Sequence, residues 1–247
     1  MRIYLCEDSF EGIMTAVYDA WASRLGHDNV RLALDGEYNL VLFSEYTRVE
    51  TDMQKAEKVA RTLKKLSWEV FMCVYRAAMS MDGDKADRIY RFIILAVRDG
   101  ARVLDELHVP AVKDVFAMAS KVKTEAHRFL QFIRFRELEN GVLFSRIDPK
   151  SQVITLVAPH FEDRLPGENW LIYDATHSLA ALHVRNAPWL LTREVEMGEM
   201  LSSDQQGDYE ELWKIFFNTI AIEGRKNPRC QRNMLPVWYR KNMLEFD

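Results

Sequence analysis

The sequence predicts an α+β fold in which a mainly helical N-terminal half precedes an antiparallel sheet. Apolar residues recur at helical spacing through most of the first half, whereas after Asn140-Gly141 they alternate with polar residues. The connections between the predicted C-terminal strands are short, which favours antiparallel pairing because parallel strands need long crossovers. Strands and helices are thus segregated along the chain, which favours α+β over a parallel α/β sheet.

The N-terminal region predicts strands around one helix. Strands are predicted at Arg2 to Cys6, Val30 to Leu34 and Leu40 to Val49. Asp8 or Ser9 can cap the helix that follows the first strand, and Gly26 ends that helix. Asp35-Gly36 is a hairpin-type turn, so the second and third strands are expected to pair with each other.

The rest of the chain divides into a helical block, a block of strands and a helical end. Residues 51–138 predict helices broken at Ser67, at residues 81–84 and around residues 108–110. Five strands follow, forming an antiparallel meander: Val142 to Ile147, Val153 to Val157, Trp170 to Tyr173, Leu179 to Val184 and Trp189 to Glu194. C-terminal helices, predicted at Asp208 to Glu223 and from Asn227-Pro228 with an interruption at Pro236, are expected to pack against this sheet.

Composition predicts a globular cytoplasmic protein. The 247 residues are 48% hydrophobic and 28% charged, and we expect one compact domain, with a possible subdivision into residues 1–110 and 111–247. No apolar run approaches the ~20 residues that cross a bilayer, and no secretory signal is visible at the N-terminus. The three widely spaced cysteines form no metal or redox motif and cannot build a four-cysteine cluster. We therefore expect no cofactor and no metal.

Charge is polarised along the chain although its sum is only −4. Residues 194–211 contain seven acids and neither Lys nor Arg. Residues 113–136 and residues 225–247 each contain six bases and two acids. Such polarisation says more about binding partners than the net charge does, although each segment taken alone can also be an ordinary solvated face.

The basic helix predicted around residues 113–136 separates into three stripes. One stripe is apolar and predicts core: Val115, Ala119, Val122, Ala126, Phe129 and Ile133. One flank carries Ser120, Lys123, His127, Gln131 and Arg134, and the other carries Lys121, Thr124, Arg128, Phe132 and Phe135. The first flank can be a donor surface for phosphates, and His127 can equally be a polar boundary residue. Phe132 and Phe135 can stack on bases or pack under the following strands.

Two segments supply the candidate nucleic-acid contacts. Guanidinium and ammonium groups with interleaved aromatics suit phosphate contact and base stacking. The candidates are Lys123, His127, Arg128, Gln131, Arg134, Arg136, Arg225, Lys226, Arg229, Arg232 and Arg240. Trp238 and Tyr239 in the second segment can instead dock a C-terminal tail on the core.

An enzyme remains an open alternative. His127 or His160 can act as acid–base, with Arg134 or Arg164 stabilising an anion. A His in a cap-like turn, as His160 is, more often has a structural role. The histidines near Asp174, His177 and His183, lack the spacing of a metal site. The sequence shows no glycine-rich phosphate loop and no nucleophile elbow.

Four segments, taken in order, resemble a bacterial family of unknown function that is associated with DNA metabolism and DNA repair. They are Ser9 to Gly12 with the helix after it, Val122 to Phe135 with its Glu-Ala-His-Arg and Phe-x-Arg-Phe, Ala158 to Arg164, and Asn227 to Tyr239. Trp170 also stands where the family has a Trp. The resemblance spans nearly the whole chain and implies no catalytic residues.

The resemblance implies a DNA-linked role and a protein partner. Members of that family are typically encoded beside a radical SAM protein, and in some relatives a similar domain is joined to a uracil-DNA-glycosylase-like domain. The present chain resembles the stand-alone form. The leading hypothesis is an accessory protein that binds DNA, or a nucleotide lesion, for a radical SAM partner. The alternatives are a DNA-processing hydrolase and a protein–protein adaptor whose acidic run at residues 194–211 docks a basic partner.

Overall fold

A computed structural model describes residues 1–36, 40–138, 141–193 and 228–243. The contacts divide the chain into a first unit, Met1–Thr124, and a second unit, Glu125–Asp247. Both units combine helices with a sheet, which confirms the α+β class. No helix among the described residues is long and apolar enough to cross a membrane.

The first unit contains a three-stranded parallel sheet. Its strands are β1 (Arg2–Cys6), β2 (Val30–Leu34) and β3 (Glu45–Arg48), in the order β2-β1-β3. Both outer strands run parallel to β1, so the predicted hairpin across Asp35-Gly36 is wrong. The turn exists, but residues 3–6 of β1 are all buried, and this central strand takes one partner on each edge.

The helix α1 (Phe10–Ala22) starts immediately after β1 because the intervening turn is tightly capped. The Ser9 hydroxyl accepts the Gly12 N–H at 3.0 Å, as an N-cap residue does. Gly12 lies so close to the end of β1 that an added Cβ would be 2.6 Å from the Glu7 carbonyl oxygen. The apolar face of α1, including Ile13 and Val17, is buried.

Four further helices complete the helical block. They are α2 (Met53–Leu66), α3 (Trp68–Ala78), α4 (Lys85–Asp99) and α5 (Pro110–Phe132), with 3-10 helices at His27–Asn29 and Gly100–Asp105. The side chains of Asp52 and Ser67 cap α2 and α3 by accepting backbone N–H groups. The predicted breaks at Ser67, at residues 81–84 and around residues 108–110 are confirmed, and α5 ends at Phe132 rather than at residue 138.

A buried lysine lies where α4 begins. Lys85 is 1% exposed, and its Nζ is 2.5 Å from an Asp8 carboxylate oxygen and 2.5 Å from the Ser80 carbonyl oxygen. The ion pair therefore links the first residue of α4 to the turn that follows β1.

The second unit contains a mixed five-stranded sheet. Its strands, in spatial order, are β4 (Arg136–Glu137), β5 (Leu143–Ile147), β6 (Trp170–Asp174), β7 (Leu179–His183) and β8 (Leu190–Arg193). The pair β5–β6 is parallel and the other three pairs are antiparallel. The prediction of a purely antiparallel meander is therefore wrong.

The segment predicted as a strand at Val153 to Val157 belongs instead to the helix α6 (Ile154–Arg164). Its buried positions, Ile154, Val157, Ala158 and Phe161, recur at helical spacing. Because α6 connects β5 to β6, it provides the crossover that parallel pairing requires.

The described C-terminal residues form the helices α7 (Pro228–Met234) and α8 (Val237–Arg240). The helical start at Pro228 and the interruption at Pro236 are confirmed. The helix predicted at Asp208 to Glu223 and the acidic run at residues 194–211 lie outside the described residues.

Candidate functional site

The first unit contains an open groove of about 430 Å³. It lies between α3, the 3-10 helix at Gly100–Asp105 and the part of α5 that belongs to the first unit. The residues that determine its chemistry are Trp68, Met72, Cys73, Arg76, Phe116 and Lys123. A volume of this size lies within the range of small-molecule pockets.

Two aromatic side chains of this groove are unusually exposed. Trp68 is 57% exposed and Phe116 is 46% exposed. Trp68 is the first residue of α3, and its ring is tilted at 33° against Phe71, with the ring centroids 5.3 Å apart. Large apolar side chains that line a concave surface and remain accessible are typical of binding sites.

Basic groups accompany these aromatics. Within the described ranges, neither the Arg76 guanidinium nor the Lys123 ammonium forms an ion pair. The Lys64 ammonium lies 4.6 Å from the Phe71 ring centroid and 6.0 Å from that of Trp68, which are cation–π distances. The groove therefore offers positive charge beside accessible aromatic faces.

One acid, Glu69, also lines the groove. Its carboxylate accepts a hydrogen bond from the Ser67 hydroxyl at 2.5 Å, and this bond lowers the pKa of Glu69 below its usual value. Glu69 is therefore anionic at neutral pH, and its charge opposes an anionic ligand at that end of the groove.

The helix α2 adds a second basic surface, which ends beside Trp68. Over residues 53–66 this helix carries five bases and one acid. Lys55 is paired with Asp19 at 2.7 Å. The other bases, Lys58, Arg61, Lys64 and Lys65, are exposed.

The thiol of Cys73 lines the groove but has low reactivity. Burial raises its pKa to about 11, and burial likewise raises the pKa of the Cys6 thiol to about 12. Because the thiolate is the reactive form, we expect both to react with iodoacetamide at about pH 7.5 at least about 100-fold more slowly than in the unfolded chain. Mass spectrometry of the two cysteine peptides measures this, and equal rates in native and denatured protein would contradict the burial.

The sequence-predicted residues of α5 divide between different environments. Lys123 lines the groove. His127 and Gln131 contact each other, with 3.1 Å between the two Nε2 atoms, and both are exposed. The Arg134 guanidinium donates to the backbone carbonyls of Gln131 and Ile133 at 3.0 and 3.2 Å. Arg134 therefore donates to the backbone at the C-terminal end of α5 and just beyond it.

In the second unit, Arg128 belongs to an aromatic cluster. Its guanidinium lies 5.6 Å from the ring centroid of Tyr239, which in turn packs against Phe129 and Phe132 with centroids 5.1 and 5.7 Å apart. Phe135 lies 5.1 Å from Phe161, between centroids, in an edge-on arrangement. Phe132 and Phe135 thus pack on protein rings.

The aromatic residues of α8 dock this helix on the second unit. The Trp238 indole N–H donates to the Asp148 carbonyl at 2.7 Å, and the Asp148 carboxylate accepts from Lys241 and Asn242 at 3.1 and 2.7 Å. Burial acts to raise the pKa of Asp148, but hydrogen bonds from Asn242, Arg146 and Lys241 outweigh it and lower the pKa. The docking contacts thus rely on an anionic Asp148.

Three further C-terminal bases, Arg229, Arg232 and Arg240, lie within the described residues. Arg240 donates to the Leu235 carbonyl, while Arg229 and Arg232 are exposed. Arg136, in β4, is also exposed. Arg225 and Lys226 lie outside the described residues.

The two candidate acid–base residues lie on different helices, His127 on α5 and His160 on α6. His160 and Arg164 are exposed on α6, and the His160 ring lies edge-on to Phe161, 5.2 Å away between centroids. Across the described ranges, no contact joins His127 to His160.

The other histidines of the second unit have local partners. His177 Nδ1 lies 2.7 Å from the buried Asp174 carboxylate, which also accepts the N–H groups of Thr176 and His177. His183 contacts the Glu168 carbonyl and stacks on Trp170. In the parts of the chain that the structure describes, no three His, Cys, Asp or Glu side chains come together as a metal site would require.

The sequence interpretation missed Trp68, Arg76 and Phe116. An exposed Trp at the start of a helix looks the same in the sequence as a buried one. The usable sequence pattern was Lys64-Lys65-Leu66-Ser67-Trp68, which places two basic residues within one helical turn of an aromatic residue.

Fold and site together define a two-unit α+β protein with a basic, aromatic groove in its first unit. The family described as DUF4130, a domain of unknown function, matches residues 83–245, which is about two thirds of the chain. The chain therefore belongs to this family. The match includes Phe116 and Lys123 but begins after Trp68 and Arg76. No curated protein matches the chain.

Proposed function

We propose that the protein binds nucleic acid as an accessory factor in DNA metabolism or repair, holding DNA or a nucleotide lesion for a radical SAM partner. The observation that carries the binding function is the groove that combines accessible Trp68 and Phe116 with the cations Arg76 and Lys123. The resemblance described above supports the DNA link and the partner.

The groove and nucleic acids have complementary chemistry. Nucleic acids present phosphate anions and the flat faces of bases, and proteins bind them with Arg and Lys beside aromatic rings. Arg76 and Lys123 are available for phosphates because they form no ion pair within the described ranges. The net charge of −4 does not oppose this function, since the local field near a binding surface decides association.

Fluorescence anisotropy with a labelled DNA strand and the matching duplex tests the binding function. We expect affinity to fall steeply between about 50 and about 200 mM salt, because bound phosphates release counterions. Removing two phosphate contacts with Arg76→Ala and Lys123→Ala should weaken binding and reduce the slope of log K against log salt by about 1 to 2.

Lys121→Ala is the matched control, because Lys121 is exposed on the same helix but does not line the groove. It should leave the affinity for DNA nearly unchanged. The absence of binding to either form of DNA at low salt would overturn the proposed binding function. Equal effects of all three substitutions would mean that DNA binds away from the groove.

Affinity purification from cells that also produce the neighbouring radical SAM protein tests the partner. We expect the two proteins to co-purify, with or without nuclease treatment. Co-purification that disappears after nuclease treatment would mean that the two proteins share DNA and do not contact each other.

A further inference from the structure

We infer that the groove accepts an unpaired base of a single-stranded polynucleotide, with Trp68 as the stacking surface and the exposed bases of α2 as the contacts for the neighbouring phosphates. This inference rests on the proposed nucleic-acid function and deepens it. It names the form of the ligand and a second surface, α2, that binds it.

The junction between α2 and α3 is short. The helix α2 ends at Leu66 and α3 begins at Trp68, so only Ser67 separates the basic helix from the aromatic side chain. Ser67 ends one helix and caps the next. The last turn of α2, with Lys64 and Lys65, is therefore held beside the ring of Trp68.

The helix α2 carries a row of cations. Lys58, Arg61 and Lys65 are spaced three and four residues apart, so they lie on one face of the helix, and all three are exposed. At 1.5 Å per residue this row extends about 10 Å along the helix axis, which suits contact with consecutive phosphates. The Glu57 carboxylate forms an ion pair with Arg61 at 2.6 Å. Because the two side chains are 67% and 63% exposed, this ion pair is weak and a phosphate can replace Glu57 as the partner of Arg61.

The shape and chemistry of the groove suit an unpaired base. In a duplex the faces of the bases are covered by their neighbours, whereas an unpaired base exposes a face for stacking. Trp68 offers such a face at the groove, and Met72 and Cys73 add apolar surface to the lining. Because stacking uses the flat face that every base has, we expect the site to tolerate any base.

The charges at the groove favour a polyanionic ligand. Two cations, Arg76 and Lys123, line the groove together with one acid, Glu69, and Lys64 in the last turn of α2 adds a third cation beside it. A neutral apolar ligand would leave these cations without a role. An acidic peptide without aromatic residues could satisfy them but would leave Trp68 unused.

The test uses the full chain and anisotropy with a labelled oligothymidylate of about 12 nucleotides, a length within the site sizes of single-strand binders. We expect single strands to bind at least about tenfold more tightly than the duplex of equal length. Trp68→Ala should weaken single-strand binding about tenfold or more, and Trp68→Phe should retain most of the affinity because it keeps a stacking face. Lys65→Glu should weaken binding and reduce its salt dependence.

Phe43→Ala is the matched control for loss of an exposed aromatic, since Phe43 is 98% exposed in the same unit and outside the groove. It should leave single-strand affinity unchanged. Circular dichroism of every variant should match the parent protein, because Trp68 and Lys65 are exposed.

The outcomes separate this inference from the proposed function. Duplex binding equal to single-strand binding and insensitive to Trp68→Ala would overturn the inference while the proposed function stands. No binding to either form would overturn both. Competition by polyglutamate as effective as that by unlabelled oligothymidylate would also overturn the inference, because the groove would then recognise charge alone.

Discussion

Replacing Asp8 with alanine is expected to lower the free energy of unfolding of the first unit by about 2 kcal/mol. The reason is the buried Lys85 ammonium, which would lose its anionic partner and keep only the Ser80 carbonyl. Removing one partner of a fully buried ion pair costs about 3–5 kcal/mol. The smaller value applies here because the Asp8 side chain is 49% exposed, so water partly solvates the pair.

The matched variant is Lys85→Met, which keeps the volume of the lysine stem and removes the charge. We expect it to be less destabilising than Asp8→Ala, because it leaves Asp8 solvated and buries no unpaired cation. In the Asp8→Ala background, Lys85→Met should restore stability. Urea denaturation, with hydrogen exchange of the β1 amides to assign the transition to the first unit, measures these differences. An Asp8→Ala protein more stable than Lys85→Met would contradict the role assigned to the pair.

Gly12→Ala is expected to destabilise the first unit by about 2 kcal/mol, despite the higher helix propensity of alanine. The new Cβ would lie 2.6 Å from the Glu7 carbonyl oxygen, 2.9 Å from Glu7 Cβ and 3.0 Å from the Ser9 hydroxyl oxygen. Since the first of these atoms belongs to the backbone, the turn between β1 and α1 must shift to relieve the clash. That shift would disturb the Ser9 cap of α1.

Gly167→Ala provides the control for Gly12→Ala. No atom lies within 4 Å of a Cβ added at Gly167. We expect a change within about 0.5 kcal/mol, as for an ordinary surface substitution. Thermal unfolding followed by circular dichroism compares the two variants. If Gly12→Ala proved as stable as the parent protein, the close approach of α1 to β1 would have to be relaxed in solution.

Local patterns predicted the helices well because their determinants are local. Ser9, Asp52 and Ser67 lie where the structure places caps, and each is a residue type that accepts N–H groups at a helix start. The arrangement of the strands was harder to predict, since strand pairing depends on residues that are distant in the sequence. Asp35-Gly36 does form a turn, but nothing near it shows that β1 will lie between the two strands that it was expected to join.

The segment that forms α6 was predicted wrongly for a different reason. Residues 153–157 are a short apolar run, and such a run is compatible with a buried strand or a buried helix turn. The helical spacing becomes visible only when Ala158 and Phe161 are included. Pro159 lies inside α6, although proline has no N–H to donate within a helix.

The candidate site was predictable only in part for the same reason. Lys123 was singled out because it lies on the polar flank of α5, a property of one helix. The groove, however, is formed when Trp68 and Arg76 of α3 come to lie beside Phe116 of α5. That meeting is a tertiary contact, so periodicity within single segments does not reveal it.

The order of strands in the first unit also determines when its sheet can form during synthesis. Arg2 of the central strand pairs with Val30 on one edge and with Glu45 on the other. The ribosome therefore makes the middle of the sheet first, and the apolar residues of β1 wait for both neighbours to emerge. Until residues 45–48 have left the exit tunnel, at least one edge of the hydrophobic strand β1 stays unpaired, and an exposed strand edge of this kind is prone to aggregation.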